Sequence, residues 1–219
     1  MKKITALFML AMILLSAGCK KTSDPPQIVF EGDSLSVGTG GTHAPDYYVT
    51  LPLVNGQAFK KTNVAVYGKT MAEMSQQASK NIEPLYNPRA IMNVLVIWGC
   101  INDVRHRGGT PEACSATLAD LAERERKQGW KVLVGTAIDW AGDPGSAQRN
   151  VLNGLIRQNW KTFADGLIDF SEDPNLDATG ASGNLQYYQP DGVHLTDAGY
   201  IRVAKVEQAA ITNLTNNIR

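Results

Sequence analysis

Two short stretches far apart in the chain hold residue types suited to acyl transfer: Glu31-Gly32-Asp33-Ser34-Leu35-Ser36 and Asp191-Gly192-Val193-His194. A serine hydroxyl attacks a carbonyl only when a base takes its proton, an acid orients that base, and N–H donors face the oxyanion that develops. Ser34 would be the nucleophile. Of the 3 histidines, His194 is the best base, because Asp191 lies three residues upstream and can hold the imidazole tautomer. His43 and His106, credited with no carboxylate at comparable spacing, read as solvated loop histidines. The backbone N–H of Ser34, a bare backbone N–H at Gly68 and the side-chain amide of Asn102 are the candidate oxyanion donors. Gly-Asp-Ser alone is common turn chemistry. The weight therefore falls on the combination.

Those residues need elements to hold them. Five segments rich in β-branched or aliphatic residues read as strands: Gln27 to Phe30, Asn63 to Tyr67, Ile91 to Trp98, Lys131 to Ala137 and Leu167 to Phe170. Several are nearly continuous apolar runs, which suits strands covered on both faces in a parallel sheet. Helices are predicted between them over Thr70 to Ile82, Pro111 to Gln128, Ser146 to Phe163 and Thr196 to about Asn213, with Thr110 and Thr196 as N-caps and Gly129 as a stop. Alternation of this kind implies right-handed crossovers and a three-layer α/β/α sandwich. Sites in such sheets form beyond the carboxyl ends of the strands. Gly32-Asp33-Ser34, Gly68-Lys69-Thr70 and Gly99-Cys100-Ile101-Asn102-Asp103 should therefore open onto one rim.

In that order, with each motif after a strand or before the last helix, the chain resembles the SGNH (GDSL) hydrolases from Ile28 to the final helix. The resemblance implies Ser34 as nucleophile, His194 as base, Asp191 as its orienting acid, and Ser34, Gly68 and Asn102 as the oxyanion hole. It also implies a five-stranded, flavodoxin-like parallel sheet, no metal and no other cofactor. The expected activity is hydrolysis of carboxylic esters, with short-chain acyl esters or acetylated carbohydrate favoured. Lysophospholipid and thioester substrates stay open. The competing readings are acyl transfer to a glycan and an inactive, lipid-anchored binding protein.

Other features narrow the field. Lys2 and Lys3 precede an apolar run from Ile4 to Leu15 that closes at Ser16, Ala17 and Gly18, the pattern of an export signal and too short to span a membrane comfortably. The tail before Cys19 resembles a bacterial lipoprotein box, with Ser16 where an aliphatic residue is usual, so residues 1–18 are expected to be removed and Cys19 lipidated. Lys20, where aspartate would favour inner-membrane retention, points to the outer membrane; without lipidation the protein would be periplasmic or secreted. A polar tether through Gln27 then leads into one domain, 28–219, expected to be monomeric. Membrane contact would come only through the lipid.

Basic and acidic residues balance at 21 each, which excludes an electrostatic footprint for nucleic acid. In an oxidising compartment Cys100 and Cys114 could form a disulfide, or both could be small buried hydrophobes. Gly68-Lys69-Thr70 imitates the end of a P-loop, but Asn63 stands where its first glycine belongs. The chain has neither a Gly-x-Ser-x-Gly elbow nor a zinc-type His or Cys cluster. The glycines at 38, 40 and 41 suggest a mobile loop beside the nucleophile. Arg105, His106 and Arg107 read as a solvated basic loop and Trp140 as a rim aromatic, with substrate contact the lesser reading for all four.

Overall fold

The computed structural model describes residues 23–217, so the expected signal, Cys19 and the start of the tether lie outside the described residues. Five strands, β1 (Gln27–Gly32), β2 (Lys60–Asn63), β3 (Asn93–Trp98), β4 (Lys131–Gly135) and β5 (Gly166–Ile168), form one sheet in the order β2-β1-β3-β4-β5. Every pair is parallel. All residues of β3, and all but the first of β1 and β4, are buried. Coverage on both faces is why these strands are written as unbroken apolar runs.

The edge strand departs from expectation. β2 begins at Lys60 and is largely exposed, whereas the sequence pattern placed it over Asn63 to Tyr67. An edge strand needs backbone pairing more than apolar side chains, so Lys60 and Lys61 serve. The apolar stretch beyond it still follows β1, with Val64 N–H donating to Phe30 O at 2.9 Å and Val66 N–H to Gly32 O at 3.1 Å. At the other edge β5 ends at Ile168, because Asp169 caps a short turn over Phe170–Glu172. The end expected to be a free tether is also held: Asp24 N–H donates to Arg89 O and Asp24 O accepts from Ile91 N–H. Polar side chains did not advertise those main-chain bonds.

The helices are α1 (Ser34–Val37), α2 (Pro45–Tyr48), α3 (Met71–Asn81), α4 (Ile101–His106), α5 (Pro111–Gln128), α6 (Ala147–Phe163), α7 (Pro174–Asp177) and α8 (Asp197–Asn216). α5 has the predicted ends, with the Thr110 hydroxyl accepting from Ala113 N–H and Gly129 in the left-handed region. α3 starts with a reciprocal box in which Thr70 and Glu73 satisfy each other's backbone N–H. α1, α2, α4 and α7 are too short to leave a periodicity in the sequence. α5 lies between α3 and α6, while α8 contacts α2, α7 and β5. The result is the expected three-layer α/β/α sandwich with a flavodoxin-like strand order.

Cys100 and Cys114 are joined in a disulfide that ties the start of α4 to the first turn of α5, and both are buried. No helix among the described residues is long and apolar enough to cross a membrane.

Candidate active site

The carboxyl ends of β1 and β3 lie side by side, with Gly32 opposite Trp98. A side chain at Gly32 would run into Ser36 and the Trp98 carbonyl, 2.6 Å from where its Cβ would sit. Only glycine lets the chain turn this tightly out of the sheet. Asp33 then caps α1, its Oδ1 accepting from Leu35 N–H at 3.0 Å, and Ser34 opens the helix. Burial pushes the Asp33 carboxyl up to about 7; the Leu35 N–H works against this, and the charge of Asp103 adds to it.

His194 reaches Ser34 from the segment before α8. Asp191 Oδ1 accepts from the N–H groups of Val193 (2.9 Å) and His194 (3.0 Å), which folds the segment around the carboxylate. Asp191 Oδ2 stands 2.6 Å from His194 Nδ1, and His194 Nε2 stands 3.0 Å from Ser34 Oγ. Partial burial raises the Asp191 pKa, but the His194 ring and the two backbone N–H groups outweigh it and hold the carboxyl below its ordinary range. An ionised Asp191 can only accept, so Nδ1 carries a proton and Nε2 is the ring nitrogen directed at the Ser34 hydroxyl. That is the arrangement in which a serine can be deprotonated as it attacks.

Gly68 comes from the loop after β2, and Asn102 from the first turn of α4, which follows β3. Gly68 holds φ 72°, a left-handed conformation, with nothing near its missing Cβ. It is glycine for its backbone, which faces open space. Asn102 donates one N–H of its amide to Lys69 O at 3.0 Å, leaving the second for another acceptor. Ser34, Gly68, Asn102 and His194 all line one pocket of about 370 Å³. The three predicted loops do open onto one rim.

Beneath this rim is a pair the sequence reading did not find. Lys69, noticed only as part of a false P-loop, is buried and its Nζ lies 2.9 Å from Glu31 Oε1. Glu31 is fully buried in β1, and burial raises its pKa although Lys69 opposes the rise. A charged residue inside an otherwise apolar strand was the available signal, since such a group needs a partner. The pair anchors the Gly68 loop to β1, and Asn102 is tied to the same loop. Asp103 adds a further tie, accepting from Met71 N–H at 2.9 Å at the start of α3.

The spacing ground fails for His106: Asp103 lies three residues upstream of it, and only the structure separates that pair from the one at 191 and 194. Asp103 is turned toward α3, and His106 Nε2 lies 2.6 Å from Arg105. His43 stacks on Tyr47 with ring centroids 3.9 Å apart and is absent from the pocket lining. Arg105, His106 and Arg107 line the pocket, the first two from the last turn of α4, with His106 and Arg107 exposed. Trp140 is 3% exposed and so is no rim aromatic. The loop of glycines at 38, 40 and 41 is pinned: Tyr200 Oη donates to Thr39 O at 2.7 Å and Gln189 Nε2 to Gly40 O at 2.6 Å. These anchors, near α8 and on it, lie some 150 residues away in sequence and give no local sign.

Known proteins carry the same frame. The model of the GDSL-like lipase/acylhydrolase family matches residues 30–202. The chain belongs to that family. By its description the family is one of lipases and acylhydrolases. Among solved structures, TesA is similar with a TM-score of 0.66 and 20% identity over 86% of this chain and 99% of that one. A GDSL-like lipase from Bacteroides thetaiotaomicron gives 0.62 and 20% over 91% and 90%. A family 3 carbohydrate esterase from Clostridium thermocellum gives 0.63 and 18% over 89% and 99%. At these identities the likeness is one of fold. No curated protein matches the chain in sequence.

Proposed function

We propose that the protein is a serine carboxylic-ester hydrolase that forms an acyl-enzyme on Ser34, with His194 as base, Asp191 as orienting acid, and Ser34 N–H, Gly68 N–H and the Asn102 amide receiving the oxyanion. The observation that carries the proposal is the continuous line from Asp191 Oδ2 through His194 to Ser34 Oγ, with steps of 2.6 and 3.0 Å. Attack by Ser34 places its proton on Nε2. The imidazolium then protonates the leaving alcohol, and water repeats the cycle in reverse.

Short acyl groups or acetylated carbohydrate are the substrates we favour. Asn102, Arg105, His106 and Arg107 in the lining offer hydrogen-bonding groups suited to a small polar ester or a sugar, and structural likeness to a carbohydrate esterase and to an acetyl xylan esterase points the same way. As part of the same proposal, the enzyme is exported and held to the cell envelope by a lipid on Cys19.

Ser34→Ala should lower hydrolysis of p-nitrophenyl acetate at least about a thousandfold. Unchanged turnover would remove Ser34 from its role. Across a panel of chain lengths, kcat/KM should peak at acetyl to butyryl and fall about tenfold or more by octanoyl.

A further inference from the structure

The pocket is charged in a way that ester cleavage does not require. One side is walled by Arg105, His106 and Arg107 from the end of α4, and no carboxylate lines it. An arginine side chain can only donate, so the 2.6 Å contact makes His106 Nε2 an acceptor. Partial burial and the two flanking guanidinium groups also hold the His106 pKa below its ordinary range. The ring is neutral, and the charge of this wall belongs to the two arginines.

Among the described residues that charge meets no carboxylate at ion-pairing distance. Six other arginines are ion-paired; among the described residues Arg105 and Arg107 are not. Each acid around the rim is otherwise engaged: Glu31 with Lys69, Asp33 with Leu35 N–H, Asp103 with Met71 N–H, and Asp191 with His194. Glu73, which feels the charge of Arg107, accepts from both the N–H and the hydroxyl of Thr70. Arg105 is steadied by Ala141 O, 3.3 Å from its Nε. A cation in the last turn of α4 suits the helix dipole, but Arg107 lies beyond that turn. Opposite, Tyr67 is 65% exposed and stacks near His194 at 5.9 Å.

We propose that Arg105 and Arg107 select esters that carry a negative charge, receiving a carboxylate of the substrate while its ester carbonyl faces Ser34. This rests on the reading of Ser34 as the nucleophile. The anion can belong to the acyl group or to the alcohol, and two matched pairs of substrates tell these apart: mono-p-nitrophenyl glutarate against p-nitrophenyl valerate, and 4-acetoxybenzoate against 4-acetoxybenzamide.

With spontaneous hydrolysis subtracted, the anionic member of at least one pair should have a kcat/KM about fivefold to tenfold higher at low ionic strength. The ratio should fall to about one in Arg107→Gln, invert in Arg107→Glu, and shrink in about 0.5 M salt. Neutral members favoured in both pairs, or a ratio unmoved by Arg107→Gln, would overturn the proposal. Binding to the Ser34→Ala protein, read by calorimetry, separates this from the hydrolase reading. If no ester is turned over by the wild type, the nucleophile assignment fails, while tighter binding of the anionic member that is lost on adding Arg107→Gln still upholds the charged wall. Equal binding of both members overturns it.

Discussion

Asn102 and Lys69 share one hydrogen bond, yet their substitution should have different consequences. Asn102→Ala removes an N–H aimed at the pocket, and kcat should fall about a hundredfold to a thousandfold with KM little changed, measured on p-nitrophenyl acetate. Lys69→Met acts on the fold first, because it strands the buried Glu31 carboxylate in β1. Removing one partner of a buried pair costs about 3–5 kcal/mol, whereas replacing both with apolar residues is often neutral. Urea unfolding should therefore show Lys69→Met strongly destabilised and the double variant Glu31→Leu with Lys69→Met largely recovered. If the single variant matches wild type, the pair does not anchor the loop.

At the scale of elements, the disulfide fixes how α4 sits against α5. Cys100 is the residue before α4, in a left-handed conformation at φ 83° that few side chains adopt, and Asn102 follows two residues later. The bridge closes a loop with a sequence separation of 14. On the chain-entropy account such a loop is worth about 3 kcal/mol. Cys100→Ser with Cys114→Ser should lose stability of that order in urea titrations. Reductant should lower wild-type stability to the same level and leave the double variant unmoved. Because Cys100 leads into the Asn102 loop, kcat should also drop, which a purely structural bridge elsewhere would not cause.

Across the whole molecule, one buried acid sets a dependence on pH. Glu207 on α8 is 2% exposed with Oε2 unpartnered. Burial pushes its carboxyl up to about 8; Asp46 adds to the rise and Lys61 opposes it. The ordinary value is 4.5, so between that pH and about 8 the folded protein holds a proton that the unfolded chain has released. This contribution is fully present below 4.5 and is lost as pH rises through the window. Glu207→Gln should be close to neutral at acid pH and stabilising above pH 8, by on the order of a few kcal/mol. Melting temperatures of both proteins across pH would show the curves together at acid pH, separating as pH rises above 4.5 and fully apart by about 8; parallel curves would count against the assignment.

Much of this was legible in the residues themselves. Nearly continuous apolar runs, alternating along the chain with capped helices, predict the parallel sandwich, because burial on both faces and unsatisfied helix ends impose composition locally. The segments around Ser34, Gly68 and Asn102 are placed on one rim by the rule that loops after parallel strands share an edge, and His194 is singled out by Asp191 three residues upstream. Tertiary structure alone decided the rest. Asp-x-x-His is the same string at 103–106 and 191–194, and the partners of each acid, Met71 N–H in one case and the His194 ring in the other, come from how the chain packs. The glycine loop is pinned by residues distant in sequence, the burial of Lys69 depends on Glu31 lying in the neighbouring strand, and the two unpaired arginines face the pocket only because α4 ends there. Local sequence records what a residue can do; which groups surround it, and so which charge is cancelled and which is left over, is set by contacts between segments far apart in the chain.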